Sequence, residues 1–407
     1  MENSENICII NSIFDQIGGN AVMMNGYNKD NLIDHCDFTN IGATGVLLVG
    51  FEDSVWYPSH WDRPDGTPDG GGGDHKTTMG NTEDKYGPKN ENYSRDITIS
   101  NGYFYNCGVF EKQTAGINMS ISRMIKVLHN TLHHFPRAAI NISDGTFGGH
   151  QIAYNDIFDT VRETSDHGPI NTWGRDRFWS LGNGYTAMGY QGELKRPYAR
   201  HDAIETTKIH NNRISGDKGK YYSFGIDLDD GSTNYDVYEN LLLGLSIKLR
   251  EGFDRTVHNN VIIDDLMEKH TTYALNNDQY YDNIIVYERG FNTFAVNSGE
   301  TTTYDRMYYY NADGPVRDAY GNVNTSNLDP LFNAPEKNDY TVAAGSPVFT
   351  LTQFKNLICR TRRLGVPTVP SRLYTLTASN RAMKPTIPNS GLLIMEETRP
   401  HRPIFAI

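Results

Sequence analysis

An all-β fold wound as a right-handed parallel β-helix is predicted by three features of the 407-residue sequence. They are a repeat of Asn followed two positions later by an apolar residue, a spacing mostly in the twenties, and a second set of short strands in phase with the first. The Asn-x-apolar pairs are Asn11/Ile13, Asn101/Tyr103, Asn130/Leu132, Asn155/Ile157, Asn212/Ile214, Asn240/Leu242, Asn260/Ile262 and Asn283/Ile285, with Cys36/Phe38 in the same slot. Between 20 and 29 residues suffices for one coil of three short strands and their turns. A leucine-rich repeat has a similar period, but its L-x-x-L-x-L signature is missing.

The second strand of each coil reads "GINMS" (116 to 120), "AINIS" (139 to 143), "PINTW" (169 to 173), "GIDLD" (225 to 229) and "SIKLR" (246 to 250). Alternation along a strand sends successive side chains to opposite faces. Stacking the segments therefore predicts two inward columns, Ile117, Ile140, Ile170, Ile226, Ile247 and Met119, Ile142, Thr172, Leu228, Leu249. Two outward columns lie between and beside them: Asn118, Asn141, Asn171, Asp227, Lys248 and Ser120, Ser143, Trp173, Asp229, Arg250.

Two intervals, of 65 and 57 residues, are too long for one coil and predict insertions at about 51 to 94 and 174 to 204. Both are aromatic-rich, which suits stacking on sugar rings, although the glycine run at 70 to 73 reads equally as a linker. In a solenoid such insertions emerge as loops, often on the binding face. From about residue 325 the chain reads as a closing coil and cap. The β-helix is thus expected over 1–350. Residues 351–407 form a basic tail or accessory segment, with nine Lys or Arg against two Glu from 355 onward.

The bulk properties narrow the function. A net charge of -12 argues against nucleic acid or an anionic membrane as partner, and no apolar run is long enough to cross a bilayer. A neutral or polar substrate and a monomeric protein are the expectation. The four cysteines have no paired metal spacing and define no disulfide framework. "MENSENICIINSIF" is not a secretory signal, yet the repeat is already running by residue 7 without a cap. The expectation is an extracellular or periplasmic protein that lacks its signal and first coils in this sequence.

The chemistry concentrates in "RETSDHGPINTWGRDRFW" (162 to 179) and "GIDLDDG" (225 to 231), followed by "SIKLREG" (246 to 252). Asp166 and His167 fall in the turn before one strand, within reach of Asp227, Asp229 and Asp230 on the next coil. Clustered carboxylates split their pKa values, so that one stays protonated while another stays charged. Cleavage of a glycosidic bond needs such a pair. Asn141, Asn171, Trp173, Arg175, Arg177, Lys248, Arg250 and Glu251 are the candidate substrate contacts around it. Plainer roles fit the same residues: a structural calcium site or solvated turns for the aspartates, cross-coil neutralisation for Lys248, Arg250 and Glu251, a turn hydrogen bond for His167, and loop packing for Trp173. No organic cofactor and no catalytic metal are expected, with calcium, structural or catalytic, as the alternative.

Over about residues 1 to 350 the chain resembles the single-stranded, pectate-lyase-like β-helix proteins grouped around family 141 of the glycoside hydrolases. The segments that carry the resemblance are "GGNAV", "FEKQTAGINMS", "PRAAINISDGTFGGH", "RETSDHGPINTWGRDRF", "DLDDGSTNYDVYENLLLG" and "IKLREGFDR". The resemblance implies α-L-fucosidase or xylanase-like action on plant or algal cell-wall polysaccharides with a pair of aspartates. The matching positions are Asp166 and one of Asp227, Asp229 or Asp230. Two other readings compete. A calcium-dependent polysaccharide lyase would use Lys248 or Arg250 as base, and a non-catalytic adhesin or tailspike-like protein would only bind carbohydrate.

Overall fold

Each coil gives one strand to each of three parallel sheets, and these strands pair with neighbours in adjoining coils. The computed structural model describes residues 1–56, 85–143, 146–174, 199–216, 224–323 and 327–358. Among these residues the sheets hold 13, 10 and 10 strands, and the chain is a parallel β-helix. The 13-stranded sheet branches at Val22–Lys29, whose first half pairs with Val46–Val49 and whose end pairs with Ser94–Arg95. Most of the two expected insertions, 57–84 and 175–198, and the tail from 359 lie outside the described residues.

The predicted columns are the observed register. Ile117, Ile140, Ile170, Ile226 and Ile247 are successive partners, as are Met119, Ile142, Thr172, Leu228 and Leu249. All of them are fully buried. The first column continues through Met267 to Phe291, while the second continues into Lys269 and Thr293. Lys269 points its ammonium to Glu300 Oε1 and Tyr304 Oη, each at 2.7 Å, so a satisfied charge ends the apolar interior.

The Asn repeat has a physical basis in an internal ladder. Asn130, Asn155, Asn212, Asn240, Asn260 and Asn283 are buried, and the Oδ1 of each from Asn155 onward accepts the backbone N–H and the side-chain amide of the one before it at 2.9 to 3.1 Å. The residue before each rung is left-handed, as at His129, Asn211 and Asp282.

Two of the sequence pairs need correction. Asn11 and Asn101 occupy that left-handed position, with φ 49° and 53°, and not the ladder itself. The ladder slots are Ser12 and Gly102, and the Gly102 N–H donates to Asn130 Oδ1 at 2.8 Å. Side-chain direction alternates, so this one-residue slip turns Ile13 and Tyr103 outward and puts Phe14 and Phe104 in the interior, stacked through Phe38. Asn tolerates the left-handed region well, which is why it also occurs in the turn, whereas in the ladder its amide is what the position needs.

The stretch expected to close the last coil adds no further parallel rung. Phe332–Ala334 and Asp339–Val342 form an antiparallel hairpin, followed by the helix Val348–Leu351. Val342, Val348, Phe354 and Leu357 bury against Leu241, Val261, Ile284 and Tyr308, an outward column of the sheet that runs from Ile13–Asp15 to Tyr308–Tyr310. Four apolar residues in register on an outer face need such a cover, and the returning chain supplies it. At the base of the first insertion, Val55 and Tyr93 pack on Ile121 and Phe147 in the same way.

Candidate functional site

The stripe Asn118, Asn141, Asn171, Asp227, Lys248 is formed by direct register partners on the outer side of the branched sheet. Their side chains point away from the apolar interior, yet Asn141, Asn171, Asp227 and Lys248 are almost wholly covered. The second outward column opens more. Trp173 is half-buried, and the Asp229 side chain keeps 16% of its surface exposed.

Lys248 is the hub. Its Nζ lies 2.9 Å from Asp227 Oδ1, 3.0 Å from Asp229 Oδ1 and 4.2 Å from the centre of the Phe224 ring. Arg250 Nη1 reaches Asp230 at 3.1 Å and Asp229 at 3.4 Å, and Glu251 lies beside its other nitrogen at 3.9 Å. Three carboxylates along one rung are thus held together by two cations from the next. That arrangement resolves the repulsion among Asp227, Asp229 and Asp230.

The two central aspartates are driven apart. Burial pushes Asp227 well above the usual carboxylate range, Lys248 pulls it back only in part, and Asp229 adds repulsion. Burial also acts on Asp229, but Lys248 and Arg250 outweigh it and hold Asp229 below the ordinary value. Burial opposes the charge on Lys248, and the attraction of Asp227 and Asp229 overcomes it, so Lys248 is raised and stays an ammonium. A charge held this firmly makes Lys248 a poor proton acceptor, which weighs against its role as a lyase base.

Asp166 is exposed in the turn above this cluster, with φ 60°. Its charge acts on both Asp227 and His167. The turn is pinned where Phe224 N–H donates to the His167 carbonyl at 3.2 Å and Gly168 N–H to Asn171 Oδ1 at 3.2 Å. A Cβ at Gly168 would stand 3.1 Å from Asp227 Cβ and 2.9 Å from the Ile170 carbonyl, so glycine is what lets the turn close onto the aspartate. His167 is half-buried, and burial followed by the charge of Arg137 lowers its pKa to about 4.

Arg137 was not among the sequence candidates. It is buried and lies 5.4 Å from the centre of the Trp173 ring, so Trp173 packs on a cation at one edge of the site. Its place in "PRAAINIS", three residues before an aligned strand, was the available signal. Glu268 and Asn292 continue the Lys248 column, and His270 and Phe294 continue the Arg250 column. Extending the alignment by two coils through "LMEKH" and "GFNTF" would have found all four. Arg175 and Arg177 lie outside the described residues.

Among the described residues no group of three or more His, Cys, Asp or Glu is arranged to hold a metal ion. Asp227, Asp229 and Asp230 do not fit a calcium site as they stand, because Lys248 and Arg250 already take their oxygens. No described helix is long and apolar enough to cross a membrane.

No protein-family model and no curated protein matches the sequence. Solved structures of similar fold include a glycoside hydrolase and a surface adhesin. One, described as "Glycoside hydrolase", has a TM-score of 0.38 and 14% identity, and the match covers 74% of this chain and 38% of that one. PfbA, a surface adhesin of Streptococcus pneumoniae, gives a TM-score of 0.36 at 12% identity over 79% of this chain and 66% of the adhesin. A second structure of PfbA gives 0.31 and 14%, over 79% and 68%. The chain therefore spans well under half the length of the glycoside hydrolase and about two thirds of the adhesin. With TM-scores this low, none of them carries an argument about the site, and the fold rests on the strand register itself.

Proposed function

We infer that the chain is a glycoside hydrolase acting on a polysaccharide or its oligosaccharides, with Asp229 and Asp166 as the working carboxylates. The observation that carries this reading is the split state of the cluster: Asp229 is held ionised by Lys248 and Arg250 while part of it stays open to solvent. Asp227 and Asp230 are nearly closed off, which supports Asp229 as the partner of Asp166.

In this reading Asp229 is the charged group, acting as base toward water or as nucleophile toward the anomeric carbon. Asp166 protonates the departing oxygen. A sugar seated on the exposed Asp166 carboxyl would bring the departing oxygen within its reach. Water adds across the broken bond, and either stereochemical course is open to such a pair. Trp173 and Arg137 offer a ring and a cation for the sugar bound beside them.

The resemblance to family 141 supports the finer reading of α-L-fucosidase or xylanase-like action on cell-wall glycans. Such polymers are met outside the cell, which supports an extracellular place for the protein. A second reading, carbohydrate binding without turnover, is favoured by one observation: all three clustered aspartates are ion-paired, as structural groups would be.

Product analysis after incubation with a panel of cell-wall polysaccharides, with and without EDTA, tests the assignment. Saturated reducing sugars formed in the presence of chelator support hydrolysis. Unsaturated products that disappear with EDTA overturn it in favour of a lyase, and glycan binding with no product favours the binding protein.

A further inference from the structure

The outward column that carries Arg250 continues through His270 to Phe294, its register partners in the next two coils. The rings of His270 and Phe294 stack with centres 4.8 Å apart and planes 19° from parallel. Among the described residues Phe294 is the last of this column, so His270 covers one face of its ring while the residue as a whole stays 53% exposed. In the sheet that runs from Cys8–Ile10 to Thr303–Asp305, His210, Tyr238, His258 and Tyr281 also stack, at 4.7, 5.1 and 4.8 Å, but those rings cover one another and the Arg306 guanidinium lies 6.0 Å from the centre of the last one, Tyr281. Phe294 differs in presenting a face.

The neighbouring column supplies polar groups at the same two rungs. Asn292 follows Glu268, and its Nδ2 donates to Glu268 Oε2 at 3.2 Å. Glu268 is buried, whereas Asn292 is half-buried, so the carboxylate fixes an amide that a ligand can reach. An open aromatic face beside an oriented amide matches the two sides of a sugar, its C–H face and its hydroxyls.

We propose that Phe294, backed by His270, and Asn292, held by Glu268, form a sugar-binding subsite three coils from Asp229. A pyranose ring packs on the open face of Phe294 and exchanges hydrogen bonds with the Asn292 amide. Coils repeat at about 4.8 Å, which places the subsite about 14 Å along the stripe from Asp229. A monosaccharide seated at the carboxylates does not reach that far, so the subsite selects for chain length. His270 is kept near pKa 4 by burial and by Arg250 and Lys248, and it stacks as a neutral ring at neutral pH. The proposal rests on carbohydrate being the ligand of this face, the reading given under Proposed function.

The test compares Asp229→Asn with Asp229→Asn/Phe294→Ala on a glycan array that carries plant and microbial oligosaccharides from two to eight sugars, with turnover by wild type measured separately. The expected result is a loss of several-fold to about tenfold in affinity on removing the ring, confined to the longer chains, with Phe294→Trp restoring it. Equal binding by both variants at every length overturns the subsite, and so does the absence of any bound glycan. If wild type turns over polysaccharide while Phe294→Ala changes nothing, the subsite falls and the hydrolase stands. If length-dependent binding through Phe294 is found without turnover, the subsite stands and the hydrolase falls.

Discussion

Lys248 and Asp229 meet at 3.0 Å although they come from different coils, and the same ammonium lies 2.9 Å from Asp227. One buried cation thus serves two carboxylates. The more exposed of the two keeps its charge and the enclosed one is driven toward its neutral form.

Removing the hub should be felt first in stability. Lys248→Met takes the ammonium from the enclosed Asp227 and leaves Asp229 with Arg250 alone, and breaking a buried pair in this way costs about 3–5 kcal/mol. Chemical denaturation should show that loss. Adding Asp227→Asn should recover a large part of it, because the neutral amide has no charge to strand. No recovery would mean that Lys248 matters through its packing on Phe224.

The Asn ladder should be sensitive at its middle. Asn155→Ala strands the Asn130 backbone N–H, leaves the Asn130 side-chain amide with the Ile99 carbonyl alone, and removes the donor to the Val127 carbonyl. Each buried polar group left unsatisfied costs about 1–3 kcal/mol. Asn11→Gly, at an exposed left-handed position outside the ladder, should change the melting temperature little, and a thermal melt of both variants checks the contrast.

That contrast also marks how far the sequence could be read. Strand phase was legible because the Ile column from Ile117 to Ile247 repeats a β-branched residue every coil, and one shared phase fixes the outward neighbours. The ladder was legible where Asn fills the slot and was misread where Ser12 and Gly102 do, since a nearby Asn in the left-handed turn mimics it. The cluster of Asp227, Asp229, Lys248 and Arg250 followed from register alone. Its degree of enclosure did not, because what covers an outer face depends on chain far away in sequence. The cover of Leu241, Val261, Ile284 and Tyr308 by Val342 to Leu357 was missed for the same reason.

Acid should destabilise the fold in a defined window. Burial lowers His133, His167 and His270 to about 4 and His150 to about 3, from 6.5. Between those values the unfolded chain binds more protons, so the stability these groups contribute is complete above 6.5 and is lost as pH falls toward 4. Asp227, raised when folded, has the opposite sign: its contribution is complete below the usual carboxylate range and fades as pH rises. Urea midpoints should therefore drop from about pH 7 to about pH 5, more steeply in Asp227→Asn and less so in His150→Gln. Gln keeps an acceptor for the Ile125 N–H that His150 Nδ1 receives at 3.2 Å.

The turn above the aspartates should affect rate more than stability. Gly168→Ala places a methyl group 3.1 Å from Asp227 Cβ, tight enough to lift the Asp166 turn off the cluster. The expected outcome is a loss of at least about tenfold in kcat, since small displacements of catalytic groups are costly, with a smaller change in melting temperature. Steady-state kinetics on an active substrate, alongside a melt, separates the two effects.

The most direct test of the central claim is the rate of reducing-sugar release by Asp229→Asn beside wild type, with the melting temperature of each. If Asp229 is the charged catalytic group, the variant loses several orders of magnitude in rate and keeps its fold, because its side chain lies outside the apolar interior. A variant that retains wild-type turnover, or that loses stability in proportion to its activity, would contradict the assignment and leave Asp229 as a structural partner of Lys248 and Arg250.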